Sequence, residues 1–255
     1  MNLNSPPRIA VQARPWGLGR VAADYPAVFD EMIAAGYDGA EGRYTLLEDE
    51  KGIAAYLDRR PGFSLIALHA GLSSFEGEAG AEELKRLLER MNRTGSRYLL
   101  ASMGREAGDA RWLERAGELS RQCADSGVQF CYHNHAEEFE GGFRLFDRLT
   151  GEYGVKLAAD VAWIHLAGAD PAEFVDRYAD SIAYVHLKDV RDGVWKELGD
   201  GEMALGPLLD RVAALRLPWW TVEQDTTERA PAESARKSRE YLRAALAERT
   251  GEGGE

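Results

Sequence analysis

The sequence predicts an α/β protein built as a single (β/α)8 barrel of the TIM type. Three observations lead there. Short apolar runs rich in β-branched residues alternate with longer amphipathic stretches. Eight such runs recur at a spacing of roughly 30 residues, the length of one βα unit. No Gly-x-Gly-x-x-Gly follows the first run, so an open dinucleotide-binding sheet loses support. At 255 residues the chain has the size of one barrel, and no linker-like stretch divides it.

The strand runs are Ile9–Ala13, Asp38–Glu41, Ser64–His69, Tyr98–Ser102, Val128–His133, Val155–Asp160, Ile182–His186 and Trp219–Glu223. Between them, apolar residues at i, i+3 and i+4 mark helices, as over Tyr25–Ala35, Ala81–Asn92, Trp112–Asp125 and Ala232–Ala247. Pro26, and Pro171 after Asp170, suit first turns of helices, the aspartate as N-cap. Gly36, Gly95 and Gly127 fall where left-handed C-caps belong. Strict alternation implies a parallel sheet, and eight unbroken units favour closure. The longest irregular connection, roughly Val190 to Met203, follows the seventh run and is a candidate lid or substrate loop. The barrel domain is expected over 1–249, with 250–255 a disordered Gly-rich tail.

The chain carries 43 acidic and 31 basic residues, a net charge of −12. No basic stripe appears, which argues against a nucleic-acid partner. No apolar run approaches the roughly 20 residues needed to cross a bilayer. Met1 to Arg8 reads as neither a signal peptide nor a targeting helix, so the expected location is cytoplasmic. Cys123 and Cys131 are expected to be reduced, buried small hydrophobes.

In such a barrel the active site lies at the C-terminal strand ends. The runs end with Gln12 and Arg14, Glu41 and Arg43, His69, Ser102, His133-Asn134-His135, Asp160, His186 and Lys188, and Glu223 and Asp225. Alternation along a strand puts His133 with His135, His186 with Lys188, and Glu223 with Asp225. Singly, each has a plain structural explanation: a hydrogen-bonded histidine, an aspartate cap, a surface Lys188-Asp189 pair. Imidazole and carboxylate ends converging from several strands point instead to a bound divalent ion, with Mn²⁺, Zn²⁺, Co²⁺ and Mg²⁺ all suited.

These segments resemble the xylose isomerase-like barrel superfamily, in particular its sugar phosphate isomerase/epimerase branch, which also includes inosose dehydratases and endonuclease IV. The matching stretches are Tyr132-His133-Asn134-His135-x-x-Glu138-Phe139, Asp160-x-x-Trp163 with Ala167-Gly168-x-Asp170-Pro171, Val185-His186-Leu187-Lys188-Asp189 and Val222-Glu223-x-Asp225. The resemblance implies a metal held by Asp160, His186 and Glu223 and by a residue after the fifth strand. Many relatives have Glu-Asn-His there, whereas this chain has His133-Asn134-His135. The first ligand is therefore His133, favoured by position, or Glu138 reaching back from the loop. Trp163 stands where epimerases of the superfamily often carry a histidine.

The resemblance further implies proton abstraction next to a carbonyl through an ene-diolate, with Glu223 as ligand and base and His133 or His135 as acid. The expected activity is that of an isomerase or epimerase of a sugar or sugar phosphate. The alternative is a dehydratase of a keto-inositol or related polyol, because both begin with the same deprotonation. Lys188, Trp163, His69, Glu41 and Arg14 are the expected substrate-binding residues, with Arg43 also at the pocket. The expected partner is a small-molecule carbohydrate, with a homodimer left open for the assembly.

Overall fold

Residues on a strand point alternately to its two faces, and here both faces are buried, which is why the runs are apolar almost throughout. The structure, a computed structural model, describes residues 6–103 and 109–250. Residues 1–5 and 251–255 of the expected N-terminal segment and tail lie outside that range.

The strands are β1 (Arg8–Gln12), β2 (Gly39–Arg43), β3 (Ser64–Gly71), β4 (Tyr98–Ser102), β5 (Gln129–His133), β6 (Lys156–Asp160), β7 (Ile182–Leu187), a short pair β8 (Asp189–Arg191) and β9 (Val194–Lys196), and β10 (Trp219–Val222). Eight of them close a parallel barrel in the order β1-β10-β7-β6-β5-β4-β3-β2, so the predicted closed (β/α)8 architecture is the observed one. β8 and β9 form a separate antiparallel hairpin.

The helices are α1 (Leu18–Ala23), α2 (Tyr25–Ala34), α3 (Glu50–Asp58), α4 (Gly77–Thr94), α5 (Ala110–Asp125), α6 (Arg144–Gly151), α7 (Val161–Leu166), α8 (Pro171–Arg177), α9 (Leu205–Ala214) and α10 (Pro231–Thr250). In α4 the buried residues Leu84, Leu87, Leu88 and Met91 form one stripe at helical spacing. Gly95 ends that helix at φ 76°, a left-handed conformation a side chain would disfavour. Asp109 caps α5 by accepting from the Arg111 N–H at 2.9 Å, and Asp170 caps α8 by accepting from Ala172 at 2.8 Å.

Two buried layers result. Outward strand residues such as Val11, Leu99, Phe130, Leu157, Val185 and Trp220 pack under the helices, each large one contributing roughly 1.5–3 kcal/mol. Inside the barrel a smaller cluster holds Ala10, Ile66, Ala67, Leu100, Cys131, Ala158 and Tyr184. Cys123 on α5 and Cys131 are free and buried, and burial pushes the Cys123 thiol up to about 12 and the Cys131 thiol higher still. No helix among the described residues is long and apolar enough to cross a membrane.

The connection after β7 departs from its irregular reading. Asp189, almost fully buried, accepts four backbone N–H groups: Val190 at 2.9 Å, Gly199 at 3.0 Å, Gly201 at 3.1 Å and Met203 at 3.3 Å. One carboxylate thereby ties both ends of the loop and orders it as the β8–β9 hairpin. The Lys188-Asp189 pair is thus no surface pair: both residues are buried, facing opposite sides of the strand end.

Candidate metal centre

The inward positions of the strands carry the inner apolar layer and then change character. Two residues beyond Ala10, Cys131, Ala158, Tyr184 and Thr221 stand Gln12, His133, Asp160, His186 and Glu223, on the same face at the barrel's C-terminal mouth. Strand pairing sets Asp160 beside His186, and His186 beside Thr221, which precedes Glu223 by two. His133, Asp160, His186 and Glu223 are all buried, and one nitrogen or oxygen from each lies within 4.8 Å of the others.

Their local contacts leave one side of each group free. Asp160 Oδ1 accepts from the Ala162 and Trp163 N–H groups at 3.0 Å and so caps α7, while Oδ2 has no partner. The capping role expected of a strand-end aspartate and the cluster role are served by different oxygens. Asn134 holds the Asp160 backbone from both sides, its Oδ1 accepting at 2.9 Å and its Nδ2 donating at 3.2 Å. His186 Nδ1 faces Glu223 Oε2 at 2.7 Å, and His133 Nε2 lies 3.6 Å from both Asp160 Oδ2 and Glu223 Oε2. None of His133 Nε2, Asp160 Oδ2, His186 Nδ1 and Glu223 Oε2 has a hydrogen-bond partner. Four converging orphan atoms, two imidazole nitrogens and two carboxylate oxygens, form a donor set suited to a divalent ion.

Electrostatics agree with that polarity. Burial opposes charge on Glu223, yet His186 and Lys188 hold its carboxylate well below the usual range. Burial likewise opposes charge on Asp160, and Lys188 and His133 lower it. Burial pulls His186 down, but Glu223 and Glu41 carry it well above an ordinary histidine. Lys188 is fully buried and remains raised against burial by Asp160, Glu223 and Asp225. Its Nζ bonds Asp225, lies 3.4 Å from Glu223 Oε1, and sits over the rings of Trp195 and Trp163 at 4.0 and 5.0 Å.

The other expected site residues spread around this core. Glu138 is buried but turned away: its Oε1 accepts from the Tyr132 hydroxyl at 2.6 Å and its Oε2 from the His135 N–H at 2.8 Å. It stays outside the four-residue group, so position favours His133 as the fourth member. His135 lies against His133 and Trp163, with ring centroids 4.8 and 5.4 Å away. Burial and the neighbouring His133 lower it to about 4. His69 packs 5.0 Å from His133 and is held well below 6.5, first by burial. Arg14 reaches Asp225 at 2.8 Å from the exposed rim. Glu41, expected to meet substrate, is fully buried with both oxygens on protein donors, described below. A cavity of about 490 Å³ opens beside the cluster between Gln12, Arg14, Arg43 and His69 on one side and Leu18 and Leu46 on the other.

A sequence profile described as xylose isomerase-like TIM barrel matches residues 12–245. The chain belongs to this family. Within reach of this xylose isomerase-like chain, an inosose dehydratase of Lacticaseibacillus casei is 26% identical over 87% of this chain and 90% of the relative. A sugar phosphate isomerase/epimerase of Parabacteroides distasonis superposes with a TM-score of 0.74 at 20% identity, covering 96% of each chain. The IOLI protein, whose structure includes a zinc atom, superposes with a TM-score of 0.72 at 17% identity, covering 94% of this chain and 98% of its own.

Trp195, Tyr184 and Thr221 were not legible as site residues. Tyr184 and Thr221 could have been found by counting two back from His186 and Glu223. Trp195 carries no local signal, because only the folded hairpin brings it to Lys188 and, at 4.8 Å, to Trp163.

Proposed function

We propose that the protein is a divalent-metal-dependent enzyme that removes the proton next to the carbonyl of a cyclic polyhydroxy ketone and then expels water. The reading rests on one observation: four buried, unpartnered donor atoms of His133, Asp160, His186 and Glu223 converge at the barrel mouth. Those four residues would hold the ion. When bound, it would act as a Lewis acid on adjacent substrate oxygens and favour the enolised form.

Glu223 is the base. One oxygen, Oε2, belongs to the cluster, and the other, Oε1, lies beside Lys188. Its depressed pKa keeps it ionised, so it has an unprotonated oxygen to offer. Lys188 stays cationic among three carboxylates and offers positive charge where negative charge develops on substrate oxygen. His135 is neutral near pH 7, so it donates a hydrogen bond to a substrate hydroxyl and is not the proton source. Trp163 and Trp195 present apolar rings to the C–H face of a sugar-like ring.

Dehydration is preferred to the isomerase or epimerase reading for a chemical reason. Epimerisation by deprotonation needs a second group to return a proton on the opposite face. Family epimerases use a second carboxylate there, and this chain has His133. A lone carboxylate suffices for elimination when it takes the proton from one carbon and passes it to the hydroxyl leaving the next on the same face. The inosose dehydratase name of the 26% identical relative supports the same choice. The test is incubation with Mn²⁺ and a keto-inositol in D2O. A new enone absorbance, lost in Glu223→Gln, is the expected result. Deuterium uptake at carbon without enone would return the assignment to epimerisation, and neither signal across a panel of keto-polyols would overturn the proposal.

A further inference from the structure

We infer that Glu41 is a positioning residue that locks the His186 ring with its Nδ1 lone pair turned to the metal centre. The inference rests on the metal-dependent reading above and goes beyond it by assigning a group that touches neither ion nor substrate. Glu41 is on β2, while His186 is on β7, three strands further round the barrel with β1 and β10 between them. The Glu41 side chain therefore crosses the barrel interior, and its carboxylate is wholly engaged. Gln12 Nε2 donates to Oε1 at 2.9 Å, and the Tyr184 hydroxyl donates to Oε2 at 3.0 Å. His186 Nε2 lies 2.7 Å from the same Oε2.

The proton positions follow from this saturation. Thr221 Oγ1 donates to the Tyr184 oxygen at 2.6 Å, which directs the tyrosine's own proton to Glu41. A carboxylate accepting from Gln12 and Tyr184 has no proton to give, so His186 Nε2 must carry one and donate it. A metal ion bound at this site would displace the other ring proton, the one on Nδ1, and the lone pair is then on that nitrogen, which faces Glu223 and lacks a hydrogen-bond partner. Carboxylate–histidine pairs of this kind fix both tautomer and ring orientation at metal sites. The network also explains why a glutamate is required: an aspartate on β2, shorter by one methylene or about 1.5 Å, would not span the gap.

The test is Co²⁺ titration of the full chain, wild type and E41Q, followed by visible d–d absorption and competition with a chelating dye. E41Q preserves volume but removes the charge and sets an amide N–H₂ against one of the surrounding donors. It is expected to weaken Co²⁺ binding 10- to 100-fold and to alter the d–d band, with circular dichroism unchanged. Tyr184→Phe removes one donor to Glu41 without touching His186 and is expected to weaken binding in the same direction by less. If E41Q does not fold, Tyr184→Phe decides. Wild-type affinity in the folded variant overturns this inference alone, and a wild-type protein that takes up no Co²⁺ overturns the metal-dependent reading with it.

Discussion

Replacing Asp189 by Asn is expected to release the β8–β9 hairpin while leaving the barrel folded. The native carboxylate divides its acceptors evenly: Oδ1 takes Val190 and Met203, and Oδ2 takes Gly199 and Gly201. An amide keeps one accepting oxygen and turns an N–H₂ toward the other pair, so two bonds to a charged acceptor are lost. Such bonds contribute roughly 1.5–3 kcal/mol each, and the lower end applies because water at the barrel rim can replace part of the loss. The expected local cost is about 3 kcal/mol, or about a hundredfold in the opening equilibrium at 1.4 kcal/mol per decade. Hydrogen exchange of peptides spanning 189–203 reads this directly, with those from β4 and β5 as internal controls. Unchanged protection in 189–203 would refute the stitching role. Equal acceleration throughout the barrel would refute the hairpin as a separately opening unit.

Three further outcomes are expected. Saturating Mn²⁺, at 100 times its dissociation constant, should stabilise the wild type by about 2.7 kcal/mol, roughly 5–10 °C in Tm, and Asp160→Asn should abolish the shift, as differential scanning calorimetry would show. For His135, held at about 4 against 6.5 unfolded, the unfolded chain binds the extra proton between those values. Its contribution to stability is therefore full above pH 6.5 and is lost as pH falls toward 4, and His135→Asn should flatten that part of the profile in urea titrations with metal removed. Trp195→Ala removes an aromatic wall worth about 0.5–1.5 kcal/mol, so KM should rise roughly 3- to 10-fold with a smaller change in kcat. An unchanged KM in steady-state assays would take Trp195 out of the substrate pocket.

The strand ends were legible because the barrel imposes a rule: inward residues alternate, and chemistry gathers at one end. That rule puts His133, Asp160, His186 and Glu223 at one end of the barrel along with the other strand-end residues; the family resemblance singles out Asp160, His186 and Glu223 with His133 or Glu138, and the structure brings His133, Asp160, His186 and Glu223 together. It cannot rank residues that share a strand end. Glu41 and His69 look alike in sequence, yet one is sealed under His186 and the other borders the cavity. Glu138 was open as a ligand because a loop carboxylate has no predictable direction; its hydrogen bonds to Tyr132 and His135 turn it aside. The hairpin leaves no periodic signal in the sequence because β8 and β9 have only three residues each and are held mainly through a single side chain.

The two thiols lie in different shells of the molecule, Cys123 on an outer helix and Cys131 within the strand cylinder. Both are inert while enclosed, since the reactive thiolate is suppressed. An alkylating reagent can therefore reach the first only when the helical coat loosens and the second only when the cylinder itself parts. Timed labelling at these two natural positions, without any introduced probe, separates peeling of the coat from rupture of the cylinder.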